Sequence, residues 1–457
     1  MWLGPDAKVM PSLAKSWTIA PDGKSYTFTL RDDVNFHDGT KFDAAAVVAN
    51  IDYITNKSTQ STLAINGLGA CKKATAVSTY VVRFSCDKPY APLLRQLGLP
   101  DLGIQSPAAI KKYGADLGDH LVGTGPFKFV SFAPNDSVVL ERNPDYQWAP
   151  NGAGQSGPAK LTKVTFKIIS DDQARINALQ SGQVQLIDKV PGTYFNNLKA
   201  KFAQVTLPTA GMGQFAVLNT ERFPTNDLAV RQAILYSVDR TAVVKLADAG
   251  AFPTSSGPIQ KGTAGYDASL EKSYPYDPDK AAQLLTSAGW AKNGNTWEKD
   301  GKNLSVSIAA FADAALYVRL AEAIQANLQQ NGFEVSLNRL GRAAYLDGGA
   351  KGLYNIVPTS TAGVDPDILS LWFLPDALFN WSKYRTPGLA QLLDKARETS
   401  DANGRPALYS QAQKIIMDQA LLLPERPDSN LVLMNKSVKG VSNAGGGSLF
   451  YYATSVG

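Results

Sequence analysis

The sequence predicts an α/β protein of more than one domain, and three observations carry that expectation. The chain has 457 residues, more than one hydrophobic core usually serves, so two or three domains are expected. Hydrophobic residues make up 44% and charged residues 19%, a globular rather than a disordered balance. Strand-type alternation also recurs between stretches of helical spacing. The clearest case is a strand over 161–169, a helix over 171–181 stopped by Gly182, and a strand over 184–187, an order that suggests a parallel pair joined by a crossing helix.

Other elements follow in sequence. A turn at Pro21-Asp22-Gly23 precedes a strand over 26–30, and residues 44–53 have helical spacing behind Asp43, a good N-cap residue. Residues 88–118 read as helical pieces with prolines at the bends. The turn Val122-Gly123-Thr124-Gly125-Pro126 leads into a strand, residues 137–142 form another, and 149–159 is a loop rich in Gly, Ala and Pro. Further strands are expected over 215–218, 304–309, 333–338 and 431–434. Helices are expected over 228–237, 240–246, 277–288, 315–330, 389–397 and 407–419.

Composition excludes several classes of function. Net charge is +5, and no run of basic residues could neutralise successive phosphates, so no nucleic acid is expected as a partner. No apolar stretch reaches the roughly 18 residues of a membrane span, and the first ten residues lack the charged, apolar and cleavage regions of a signal peptide. Only two histidines are present, neither near a cysteine at metal spacing, so no metal, cofactor or His-based triad is expected. No Gly-x-Ser-x-Gly elbow occurs. Cys71 and Cys86 flank a hairpin and either pair across it or remain two buried thiols; paired, they point to an oxidising compartment.

Ordered blocks then point to a family. They are Pro11 to Trp17 with Phe36-His37-Asp38-Gly39-Thr40, Gly123-Thr124-Gly125-Pro126-Phe127 with Leu140-Glu141-Arg142-Asn143-Pro144-Asp145-Tyr146, Ala178-Leu179-Gln180-Ser181-Gly182, Val230-Arg231-Gln232-Ala233-Ile234 with Ser237-Val238-Asp239-Arg240, and Tyr276-Asp277-Pro278-Asp279-Lys280-Ala281 with Ala288-Gly289-Trp290. Together they resemble the family 5 extracellular solute-binding proteins of ABC importers, the oligopeptide, dipeptide, nickel and opine class. The resemblance implies a type II two-lobe periplasmic-binding-protein fold with an extra small domain: residues 1–120 the extra domain, 121–210 with 435–457 lobe one, and 211–434 lobe two. It implies a binding protein and not an enzyme. The partners would be a small organic ligand (oligopeptide, opine or oligosaccharide) and the membrane permease, with the chain a monomer in the periplasm or outside the cell, with or without a lipid anchor. Family members carry a leader and a first lobe-one strand ahead of the block at Pro11, so an unpaired sheet edge and an unfinished pocket wall are expected. The alternatives are a truncated fragment or a hydrolase.

The resemblance places ligand contacts around residues 358–364. Thr359, Ser360 and Thr361 would line the cleft, and Ala362 stands where the peptide binders carry an acidic residue for the ligand's amino group. An uncompensated buried ammonium is costly, so a ligand without that group is favoured. Asp365 would hold a cation or ligand hydroxyl, or, with Asp367, cap the next helix. Trp372 and Trp381 would stack on the ligand or sit in the core. Gln214 and Asn219 would reach the ligand from the interlobe crossing, where Gly211-Met212-Gly213 allows hinge motion. A hydrolase using Asp365 and Asp367 is disfavoured, because two such close carboxylates cannot flank a scissile bond.

Overall fold

The computed structural model describes residues 1–4, 7–401, 403–443 and 447–457. Near the N-terminus, strands β1 (Ala14–Ile19) and β2 (Ser25–Leu30), helix α1 (Ala44–Thr55) and strands β3 (Lys73–Ser78) and β4 (Val81–Ser85) build an antiparallel sheet of order β1-β2-β4-β3. Period-two alternation buries Tyr26, Phe28 and Leu30 of β2 with Val82 and Phe84 of β4. Helix α1 adds Val47, Ile51 and Ile54 to that core, and Asp43 caps it by accepting from Ala46 N at 2.8 Å.

Cys71 and Cys86 are paired, 15 residues apart, across the β3–β4 hairpin, so the free-thiol alternative falls. Closing a loop of that length stabilises the fold by about 3 kcal/mol. Reduction is expected to lower the urea midpoint accordingly, measured with and without dithiothreitol.

The same core takes in Tyr146, Trp148, Ala153, Ala159 and Tyr452. His37 N donates to Gly123 O at 2.9 Å and Trp148 Nε1 to Thr124 O at 2.7 Å. The N-terminal sheet is therefore packed onto the segment that follows it as one body, beginning with the short helix α2 (Leu93–Gln96) and the meander β5 (Phe127–Ala133), β6 (Ser137–Arg142) and β7 (Lys163–Lys167).

Beyond the meander come α3 (Asp172–Gln180), β8 (Leu186–Ile187), α4 (Gly192–Leu198) and β9 (Ala203–Pro208). The parallel pairing expected for 161–187 does not form. Strand β7 pairs antiparallel with β6, and β8 pairs antiparallel with Ser429–Met434, which lies between β8 and β9. That partner comes from the far end of the chain, where local spacing cannot reveal it. Residues 429–434, expected in lobe two from sequence, are hydrogen-bonded into the sheet of β8 and β9. The outer edges of β7 and β8 carry no partner strand among the described residues. Both strands line a groove of about 810 Å³ that also meets residues 447–456.

The second lobe contains β10 (Gly211–Leu218), α5 (Leu228–Ser237), α6 (Arg240–Asp248), α7 (Pro278–Ser287), β11 (Ser305–Phe311), α8 (Ala315–Gln330), β12 (Glu334–Leu340), α9 (Arg342–Lys351), β13 (Ile356–Ala362), α10 (Pro387–Glu398), α11 (Gly404–Asp418) and β14 (Leu422–Arg426). Its sheet has the order β12-β11-β13-β10-β14. Strand β11 runs parallel to both β12 and β13, with α8 and α9 as the crossing helices. All eight residues of β10 are buried, as a central strand requires.

Two crossings join the lobes. One runs from β9 to β10 through Thr209-Ala210, the other from β14 to β15 (Ser429–Met434) through Pro427-Asp428. They lie side by side: Thr209 N donates to Asp428 O at 3.2 Å. The Gln260 side chain ties them further, donating through Nε2 to Thr209 O and accepting at 2.7 Å from Asp428 N. Gly213 has φ +72°, and a Cβ there would meet Arg426 O at 2.6 Å, so only glycine fits this approach.

Candidate functional site

Strands β10 and β13 lie side by side where they meet the crossings, next to the N-terminus of α8. Gln214 of β10 stands in register with Ser360 of β13, so both point to one face. Ser360 Oγ and Tyr317 OH, from the first turn of α8, share a hydrogen bond of 2.7 Å. Burial raises the Tyr317 hydroxyl pKa above its usual value despite that bond. Gln214 is buried, and its Oε1 finds no hydrogen-bond partner.

Glu425 lies beside Gln214's neighbour Arg426, at a register irregularity in the β10–β14 ladder. It is fully buried and neither carboxylate oxygen has a hydrogen-bond partner. Burial pushes its pKa up to about 8, with Arg426 opposing and Asp248 reinforcing the rise. Arg426 is committed elsewhere, 2.6 Å from Asp248 and stacked over the Phe252 ring at 3.9 Å. Buried polar atoms without partners are rare in native proteins, and here two such groups lie close to the interlobe crossing.

Of the residues singled out from sequence, five lie on the paired strands β10 and β13, with Thr359 on the face opposite to Ser360 and Gln214. Thr359 is buried opposite Phe215, Ser360 and Thr361 are half-buried opposite Gln214 and Gly213, and Ala362 is exposed opposite Gly211. Four others fall elsewhere. The Asp365 carboxylate, 1% exposed, accepts from Arg405 at 2.9 and 2.5 Å, Arg95 at 3.0 Å and Asp367 N at 2.9 Å. That fills the acceptor positions of a carboxylate, and the N-cap alternative is the one realised. Burial works against ionisation of Asp365, yet Arg405 and Arg95 outweigh it and hold the carboxyl below its usual pKa.

Trp372 and Trp381 are core residues. Trp372 packs edge-on to Phe215 at 5.1 Å and to Trp381 at 5.3 Å, and Trp381 packs on Tyr345 at 5.5 Å. Asn219 sits past the far end of β10, donating to Gly352 O at 3.0 Å and accepting from Glu221 N at 2.8 Å, which makes it a turn residue. Sequence reasoning missed Tyr317 and Glu425. Glu425 had a visible signal, an acidic residue directly after the apolar run Leu421-Leu422-Leu423-Pro424. Among the described residues no group of three or more His, Cys, Asp or Glu is placed to hold a metal ion, and no helix is long and apolar enough to cross a membrane.

Comparison with known proteins gives this geometry its setting. Residues 8–377 match the model of bacterial extracellular solute-binding proteins, family 5 middle. The glutathione-binding proteins GsiB of Shigella dysenteriae serotype 1 and Salmonella paratyphi A are each 29% identical over 437 residues, covering 92% of this chain and 81% of theirs. Among solved structures, NikA from Brucella suis in complex with Fe(III)-EDTA superposes with a TM-score of 0.89 at 26% identity, over 100% of this chain and 93% of that one. DppA from Helicobacter pylori, in complex with a peptide, gives 0.80 at 27% identity, over 98% and 90%. The two-lobe fold, the paired crossings and the family match lead to one conclusion: this chain belongs to the family 5 bacterial extracellular solute-binding proteins and is the substrate-binding component of an ABC-type importer.

Proposed function

We propose that the solute is a small organic molecule of the peptide or opine kind, rich in hydrogen-bonding groups, and that it binds between the lobes against Gln214, Ser360 and Tyr317. The observation that carries this reading is the Gln214 Oε1, buried beside the crossing with no partner, next to the Ser360–Tyr317 hydroxyl pair. A ligand N–H donor would satisfy it. The relatives lend support: GsiB is named for glutathione, one neighbour holds a peptide, and another, AgaA from A. tumefaciens, holds agropinic acid with a TM-score of 0.80 at 26% identity. With binding proteins for relatives, the chain is read as a binder rather than an enzyme.

We further propose that the moving bodies divide at the crossings. Residues 1–208 with 429–457 form the first body and 211–426 the second. Closure is then a population shift driven by the solute's preference for the closed form.

The test is a thermal-shift panel of di- and tripeptides, glutathione, opines and oligosaccharides, followed by calorimetry on whichever class raises the melting temperature. Ser360→Ala and Tyr317→Phe are each expected to weaken that binding roughly five- to tenfold, about the value of one hydrogen bond, while leaving the unliganded melt nearly unchanged. Unaltered affinity in both variants would place the solute elsewhere. An oligosaccharide hit with no peptide or opine response would overturn the ligand class.

A further inference from the structure

The two bodies also meet at a polar seam remote in sequence from the crossings. Arg95 of α2 reaches Asp365 at 3.0 Å. Close by, Ala91 N donates to Arg397 O at 2.8 Å, the Arg397 guanidinium lies over the Tyr90 ring at 5.9 Å, and Lys88 Nζ is 3.1 Å from Glu398. Tyr26 OH, from the N-terminal sheet, donates to Tyr90 O at 2.9 Å and fixes this edge to the first body.

The seam differs from the permanent joint inside the first body. There the N-terminal sheet is fused to residues 146–159 through buried aromatic packing. Across the seam the links are mostly polar, beside a small apolar patch of Leu3, Ala7, Ala210 and Val364. The second body also neutralises its own acids. Asp365 keeps both bonds from Arg405, and Asp367 keeps Arg397 at 3.0 Å. If Arg95 withdraws, no buried charge is stranded, so the heavy cost of breaking a buried pair does not arise. The Arg95 side chain is 31% exposed and is readily rehydrated.

We propose that this seam is a detachable electrostatic latch, outside the solute site, that biases the solute-free protein toward closure. The proposal rests on the two-body division above and not on the identity of the solute.

The experiment is small-angle scattering of the full solute-free chain, wild type against Arg95→Met. The variant is expected to have a larger radius of gyration, with its open fraction raised about two- to fivefold, the range of a partly exposed ion pair. Its Ala91 amide should exchange hydrogen correspondingly faster. Raising the salt concentration should move the wild type in the same direction, a readout that holds even if the variant folds poorly. Superimposable profiles for wild type and variant, with no salt response and equal Ala91 exchange, would overturn the latch. A wild-type profile that responds to solute but to neither salt nor Arg95→Met counts against the latch alone. One that stays fixed even under solutes that raise the melting temperature counts against the two-body division.

Discussion

Replacing Asp365 by alanine is expected to destabilise the second lobe by about 3–5 kcal/mol, the cost of removing one partner from a buried charged pair. The carboxylate accepts four hydrogen bonds, three of them from arginines. Alanine leaves the Arg405 guanidinium, with a side chain only 10% exposed, without its counter-charge, and frees the turn that Asp365 caps. Urea unfolding followed by tryptophan emission measures the loss directly, because Trp372 and Trp381 lie in the same core. A loss below about 1 kcal/mol, the value of a surface pair, would mean that water reaches Asp365. Solute affinity measured at a temperature where the variant is folded should change far less than stability does, since the side chain does not face the candidate site.

Glu425 presents the opposite case, a buried carboxylate with no partner. Its folded-state pKa, about 8 against an ordinary 4.5, makes stability depend on pH with a definite sign. Below the ordinary value both folded and unfolded states hold the proton. Between the two values the unfolded chain releases it while the folded protein keeps it, so stability falls as pH rises through that window and levels off above about 8, at up to about 1.4 kcal/mol per pH unit. Glu425→Gln keeps the shape and removes the titration. The variant is therefore expected to melt at nearly the wild-type temperature at pH 4, and several degrees higher at pH 8. Thermal melts of both proteins across that range decide it: parallel curves would mean that Glu425 is solvated or paired.

These two acids also mark what could be read from sequence. Elements whose signal is local were legible. Residues 315–330 carry helical spacing ended by Asn331-Gly332, and Asp43 announces the start of α1. Gln214 and Ser360 were singled out from sequence, and the ladder sets them side by side on β10 and β13. What failed depends on distant partners. Asp365 has the look of a ligand group until Arg95, 270 positions away, is known to face it. Trp372 and Trp381 are equally ambiguous until Phe215 and Tyr345 are seen against them. The strand over 163–167 could not show that its neighbours are antiparallel, because α3 hands the chain to a different sheet.

Gln260 has a mechanical consequence. Two independent ribbons between the lobes would let them shear as well as swing, since each ribbon could stretch and twist alone. The direct bond from Thr209 N to Asp428 O, reinforced by the Gln260 amide on Thr209 O and Asp428 N, ties the pair together and opposes such shear. Gln214 and Ser360 lie a few residues from the crossings and travel little as the lobes swing. On the proposed reading, the second lobe presents a half-site of fixed shape, and the solute is enclosed when the other lobe swings onto it.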